Sequence, residues 1–275
     1  MANARSLAQQ FKEDGYVFVP GLLTSNETDA YRKKIQELSG LSDKDFDEKK
    51  ARRKGWSMPD GVTRQSDWWD LIFHPRLIHT LRETLGPDVR YTQHSDLHVH
   101  HGAVGWHRDS ACRVLGVGRD WDESHAPYQI ARVGIYLQRY AESGSALGIL
   151  PGTQRNQSWL SRKELAIHGK IRDFFKRPDW LFPLIFSRPL WFKTEPGDCL
   201  IFNQRLLHTG SHIHGPKYAI FLSYSPENHH AVNHRSYYLN ERPELGYHDY
   251  HPALREKLSQ AGLLLNESLR GKTSS

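Results

Sequence analysis

The spacing of apolar positions divides the chain near Gly86. Before it the periodicity is mostly helical. Phe11-Lys-Glu-Asp-Gly15-Tyr-Val-Phe-Val-Pro20 reads as a helix end, a glycine and a β-rich run. Thr24-Ser-Asn-Glu27 has capping-box spacing, with Thr24 as N-cap and Glu27 reaching back to it. Ala30, Tyr31, Ile35 and Leu38 then form an amphipathic stripe that stops at Gly40. Residues 42–65 are charged and carry the turn signal Pro59-Asp60-Gly61, which predicts a long loop of the kind that serves as a lid. From Asp67 to Leu85 the pattern returns to helix.

Beyond Gly86 the period shortens. Arg90 to His101, Ile130 to Tyr140, Ala146 to Leu150 and Tyr218 to Tyr224 read as strands, and Leu190 to Lys193 and Cys199 to Phe202 flank the turn Glu195-Pro-Gly-Asp198. Short strands with turn punctuation predict a mainly β chain with flanking helices, a double-sheet jelly roll rather than a parallel sheet. Residues 158–180 read as a helical insertion, Pro252 to Leu264 as a closing helix and residues 270–275 as a frayed tail. With no repeat or linker in the pattern, residues 1–275 read as one domain.

Composition narrows the class. The 275 residues are 38% apolar and include 8 Trp, 11 Phe and 12 Tyr, enough for a sizeable core. No stretch approaches the roughly 18 apolar residues of a membrane helix. The start lacks the apolar run of a signal peptide, and two cysteines give no disulfide framework, so a cytoplasmic setting is expected. The net charge of +6 admits nucleic acid or an anionic substrate. The densest basic run, Lys49 to Lys54, follows an acidic stretch and reads as a solvated surface segment, which argues against nucleic acid as the partner.

The 17 histidines raise the question of whether any are organised. In Gly105-Trp-His107-Arg-Asp109, ligands at i and i+2 of an extended segment share a face and can grip one ion. A second imidazole would complete the 2-His-1-carboxylate face associated with oxygen-activating Fe(II). An H-x-D triplet in so histidine-rich a chain also fits an ordinary surface pair. The downstream half shifts that balance: Glu195-Pro-Gly-Asp198-Cys-Leu-Ile-Phe202 is a turn entering a buried strand, and His208 follows it about one hundred residues from the dyad.

These pieces resemble the phytanoyl-CoA dioxygenase-like family of Fe(II)/2-oxoglutarate oxygenases. The matching segments, in family order, are Phe11 to Pro20, Trp106 to Ser110, Arg132 to Gln138, Gly144 to Thr153, and Pro196-Gly-Asp198 through His208-Thr-Gly210. The resemblance implies a double-stranded β-helix (cupin-like), the co-substrates 2-oxoglutarate and O2, and Fe(II) held by His107, Asp109 and His208. It implies a dioxygenase that releases succinate and CO2. Because Asp109 keeps the carboxylate, hydroxylation or desaturation is expected rather than halogenation.

The family usually carries an Arg about ten residues after its second His, to pair with the distal carboxylate of 2-oxoglutarate. Here Lys217 is the cation in that stretch, and Arg132 is the alternative fork. Tyr91, Gln93, Thr209 and Ser211 are further candidates to bond the co-substrate. For the substrate, expected to be a small anionic or polyhydroxylated molecule, the candidates are Trp56 and Met58 of the 42–65 loop, Arg113, and the pair His98 and His100, with His101 pointing away. His229, His230, His234, His248 and His251 read as surface or rim histidines, Cys112 as near the cavity and Cys199 as core. A nucleic-acid-directed oxygenase and a non-enzymatic cupin-like ligand-binding barrel are the competing classes.

Overall fold

The computed structural model describes residues 5–51, 55–102, 105–175 and 184–268. The described strands are β1 (Tyr16–Val19), β2 (Trp56–Pro59), β3 (Val89–Tyr91), β4 (Asp96–Val99), β5 (Ala131–Tyr136), β6 (Ala146–Leu150), β7 (Leu190–Lys193), β8 (Cys199–Asn203), β9 (Leu207–Gly210) and β10 (Tyr218–Pro226). The longer helices are α1 (Leu7–Asp14), α2 (Ser25–Ser39), α3 (Pro75–Leu85), α4 (Trp159–Phe175), α5 (His229–Ser236) and α6 (Pro252–Gln260). The pairings are antiparallel. One sheet runs β1-β8-β5-β10-β4-β2, with β3 also on β10; a smaller one runs β7-β6-β9. The chain is thus an antiparallel, sheet-rich α+β structure.

The central strands of the large sheet are rich in β-branched and aromatic residues, which suit a pleated surface covered on both sides. Their alternate residues Leu97, Val99, Val133, Ile135, Ile201, Ile220 and Leu222 form one core with Phe11 of α1, Ile35 of α2, Leu77 and Leu81 of α3 and Leu254 of α6. The opposite face of the same strands meets the small sheet, where Tyr136, Leu147, Ile149, Leu200, Phe202 and Leu206 make a second, smaller core. Helices thus seal one side of the large sheet, and the space between the sheets is left for chemistry.

Local signals in the sequence act as expected at several ends. Gly15 closes α1 at φ +85° and Gly40 closes α2 at φ +67°, both in the left-handed region that costs glycine little. The Thr24 hydroxyl accepts from the Glu27 N–H at 3.3 Å while the Glu27 carboxylate accepts from the Thr24 N–H at 2.8 Å. Among the described residues no helix is long and apolar enough to cross a membrane.

Three expectations need correction. Residues 42–65 are not one long loop: Trp56–Pro59 pairs along β4 from Trp56↔Val99 to Pro59↔Asp96, and short helical turns flank it. A four-residue edge strand ending in proline has too few positions to show a period. The helix expected from Asp67 to Leu85 is broken ahead of Pro75, because proline forces the preceding His74 out of helical geometry (ψ 122°). The strand expected from Arg90 to His101 is two, β3 and β4, separated where Gln93 turns left-handed at φ +70°. Residues 52–54, 176–180 of the insertion and the 270–275 tail lie outside the described residues. Replacing the α2 cap by Thr24→Ala should cost about 1 kcal/mol of stability, measured as a lowered urea midpoint with an unchanged slope.

Candidate metal centre and its cavity

Two backbone hydrogen bonds build the site. His107 N–H donates to the His208 carbonyl and His208 N–H donates to the His107 carbonyl, each at 3.0 Å. Residues that exchange both bonds across an antiparallel pair project their side chains to the same face, and the two imidazole centroids lie 4.3 Å apart. His208 is itself fixed opposite Ile149 by the β6–β9 pairing. Two residues beyond His107, the Asp109 and Ser110 N–H groups donate to the Gln204 carbonyl in the β8–β9 turn. One turn and one strand therefore seat all three groups.

The donor atoms of His107, Asp109 and His208 lie within 4.8 Å of one another. The His107 Nε2 is 3.5 Å from Asp109 Oδ1, and His208 Nε2 is 3.6 Å from Asp109 Oδ2. Each imidazole gives its Nδ1–H to a backbone carbonyl, His107 to Gly105 at 2.7 Å and His208 to Leu206 at 3.0 Å. That fixes the tautomers and leaves both Nε2 lone pairs aimed at the shared point, the outer arrangement that metal-binding histidines use. Burial and the neighbouring His107 bring His208 down to about 4, so it is neutral. Burial works to raise Asp109, but His107 and Arg132 beside it outweigh that and hold the carboxyl ionised. Asp109 in turn outweighs the burial of His107 and raises its pKa. Two imidazole nitrogens and one carboxylate fit a divalent first-row metal with open positions.

The trio opens on a cavity of about 210 Å³ between the sheets. Its walls follow the register: Ala219 lies opposite His98 and Tyr136, and Phe221 opposite Asp96 and Gly134. Asp96, His98, Arg132, Tyr136, Phe202, Lys217 and Phe221 all line it, with Ala146 and Leu147 from the small sheet. Gly134 gives this packing room, since a Cβ there would lie 3.0 Å from the Phe221 ring and push it by a few tenths of an ångström.

The two candidate co-substrate cations both reach the cavity, in different states. The Lys217 ammonium donates to the His101 carbonyl at 2.9 Å, leaving two of its three N–H donors for a ligand. Arg132 is committed: its terminal nitrogens donate to the His94 carbonyl, to Ser223 Oγ and to Asp96, and its Nε stands 3.8 Å from Asp109 Oδ2. Tyr136 offers a further donor, a buried hydroxyl in the cavity wall with no hydrogen-bond partner among the described residues.

Other candidates face elsewhere. Tyr91 bonds Thr63 in the core at 2.8 Å, Gln93 bonds Asp60 and the His248 carbonyl, Thr209 bonds the Gly210 carbonyl, and Ser211 bonds the Gly144 carbonyl. Trp56 and Met58 pack on the helical core, and Arg113 is exposed near His107. The histidine pairing is the reverse of the expected one. His98 stacks on His101 at 4.7 Å and both line the cavity, whereas His100 turns to the Ser42 carbonyl and the Phe46 ring. His100 adopts φ +56°, which ends the strand alternation one residue early.

His230 and His234, expected at the surface, are buried in α5, while His248 and His251 are exposed. Cys199 is fully buried and Cys112 half-buried outside the cavity lining. His94 and Asp96, not among the expected site residues, also line the cavity. Their signal was the alternation His94-Ser-Asp96-Leu-His98, three polar residues at i, i+2 and i+4.

An antiparallel two-sheet scaffold carries two imidazoles and a carboxylate around an open cavity, a donor set that fits a non-haem metal enzyme. The chain belongs to the phytanoyl-CoA dioxygenase (PhyH) family, whose model matches residues 11–220. It is accordingly a dioxygenase, an oxidoreductase, and the family uses Fe(II), 2-oxoglutarate and O2. The structure is similar to SnoK, a non-haem α-ketoglutarate-dependent carbocyclase of nogalamycin biosynthesis (TM-score 0.56, 16% identity, 82% of this chain and 85% of that one). It is also similar to HygX of Streptomyces hygroscopicus, solved with nickel and 2-oxoglutarate bound (0.54, 15%, 78% and 84%), and to EctD of S. alaskensis (0.54, 18%, 79% and 75%). At such identities the likeness is one of fold. No curated protein sequence matches the chain significantly.

Burial lowers Lys217 from its ordinary 10.5 to about 8. Its folded value lies below its unfolded one, so across that window the unfolded chain binds more protons and stability rises with pH. Relative to Lys217→Met, the metal-free wild type should gain up to about 3 kcal/mol over this range, read by urea unfolding at a series of pH values.

Proposed function

We propose that this protein is an Fe(II)- and 2-oxoglutarate-dependent oxygenase that hydroxylates or desaturates an unactivated C–H bond of a small anionic or polyhydroxylated molecule. His107, Asp109 and His208 hold the iron. The observation that supports this most is the convergence of two imidazole Nε2 atoms and an ionised carboxylate on one point at the wall of a cavity. Bound iron and 2-oxoglutarate supply the oxidation of the C–H bond by O2, with release of succinate and CO2. Asp109 occupies the position that a halide would need, which favours hydroxylation or desaturation over halogenation.

The chain's own residues bind, orient and exclude water. Lys217 receives the distal carboxylate of 2-oxoglutarate, because it gives one hydrogen bond and keeps two N–H donors, whereas Arg132 is already tied to the His94 carbonyl, Ser223 and Asp96. Tyr136 donates its unpartnered hydroxyl to the same ligand or to the substrate. Leu147, Phe202 and Phe221 keep the remaining wall apolar. His98 and His101 give the other polar edge, where a hydroxyl-bearing or anionic substrate finds partners. The facing of the two sheets around this space supports a double-stranded β-helix formed as one domain, and the free cysteines favour a cytoplasmic setting.

Under anaerobic conditions, protein with Fe(II) and 2-oxoglutarate should show a metal-to-ligand charge-transfer band that His107→Ala abolishes; absence of the band in the intact protein overturns the reading. Lys217→Met should weaken 2-oxoglutarate binding by about 10- to 100-fold with Fe(II) binding retained, as titration of that same band will show.

A further inference from the structure

The family match ends at residue 220, yet the wall behind Asp109 is built by the chain beyond it. α5 continues into a π-helical turn, Tyr237–Glu241, and a short 3-10 turn, Pro243–Leu245. Tyr238 stacks on His94 at a centroid distance of 3.9 Å, and the buried Tyr247 follows. The Tyr247 hydroxyl donates to Asp96 Oδ1 at 2.6 Å. The other oxygen of Asp96 receives the Arg132 guanidinium. Arg132 is 4% exposed and stands between two carboxylates, hydrogen-bonded to Asp96 and 3.8 Å from Asp109.

That asymmetry has a chemical consequence. A guanidinium left to itself forks two N–H donors onto a carboxylate. If Arg132 did so with Asp109, it would occupy the lone pairs that a metal needs. At 3.8 Å it is near enough to favour the ionised carboxylate and too far to hydrogen-bond it. Asp96 is the group that holds Arg132 there, and Tyr247 is the donor that orients Asp96. We infer that Tyr247 is a positioning residue for the metal site: by fixing Asp96 it keeps Arg132 off the carboxylate of Asp109. This rests on the reading of His107, Asp109 and His208 as metal ligands. A purely structural role for the same network would affect folding stability and leave metal binding alone.

Co(II), which stands in for Fe(II) without oxidising in air, separates these outcomes when titrated into metal-free protein and followed by its d–d absorption. Tyr247→Phe keeps the ring and removes only the hydroxyl; Asp96→Asn keeps the shape and removes the charge that holds Arg132. Groups that hydrogen-bond a metal ligand directly are typically worth 10–100-fold in affinity, and Tyr247 acts on Asp109 through Asp96 and Arg132, which sets the lower end as the expectation. We therefore expect Co(II) affinity to fall about 10-fold in Tyr247→Phe and by more in Asp96→Asn, with an altered d–d spectrum. The wild-type affinity and spectrum in Tyr247→Phe would overturn the inference, whether or not its melting temperature falls, and Tyr247→Phe decides the matter alone if Asp96→Asn does not fold. Failure of the wild type to bind Co(II) overturns the metal reading and this inference together, whereas tight wild-type binding with unaffected variants overturns the inference only.

Discussion

The reciprocal pair of backbone hydrogen bonds between His107 and His208 is the constraint on which the site depends. The two residues are far apart in sequence, on a loop and on β9, and neither imidazole is oriented by the local chain alone. Once the bridge is made, the side chains have no choice but to share a face, and the i+2 spacing carries Asp109 to the same point. The Gln204 carbonyl then fixes the end of the dyad segment from the turn that leads into β9. Backbone bonds do this work without using any side-chain atom, so the donor atoms stay free. Proton chemistry follows from the same closeness: the carboxyl is kept ionised against its burial by His107 and Arg132, and His208 is kept neutral.

Much of this was legible in the sequence where a short-range rule governs. The Thr24–Glu27 cap, the glycine stops at Gly15 and Gly40, and the strands at Ala146–Leu150 and Leu190–Lys193 all follow from residues within a few positions of one another. The dyad and His208 were also findable, because an H-x-D spacing and a Pro-Gly-Asp turn are local patterns. What was hidden depends on partners distant in the chain. β2 exists because β4 offers it an edge, and nothing in Trp-Ser-Met-Pro announces that. His100 leaves the cavity because one left-handed residue interrupts the pleat. His94 and Asp96 carry a period-two signal, but nothing local to Gln93 announces the left-handed turn that separates them from the preceding strand.

The polar wall behind Asp109 shows how a buried charge is accommodated. Arg132 is almost without solvent, and a cation in that position needs full hydrogen bonding and a counter-ion. The His94 carbonyl, Ser223 and Asp96 provide both, and burial together with the Arg132 charge keeps His94 and His234 neutral beside it. Stability and chemistry meet at this point, since the same groups that satisfy Arg132 set what it presents to Asp109.

The two faces of β4, β5 and β10 lead to a last point about how such a chain can change. Side chains at 96, 98, 132, 136, 217 and 221 meet the cavity, while 97, 99, 133, 135, 220 and 222 meet the helices. Substitution at 98, 136 or 221, away from the Arg132–Asp96 pair, alters what the cavity admits and leaves the helix-facing core intact. Insertion or deletion of one residue inside these strands exchanges the two sets, placing charge in the core and aliphatic groups in the cavity. Descendants of this sequence can therefore diversify by replacement within the sheet, whereas changes in length are confined to the connections between strands.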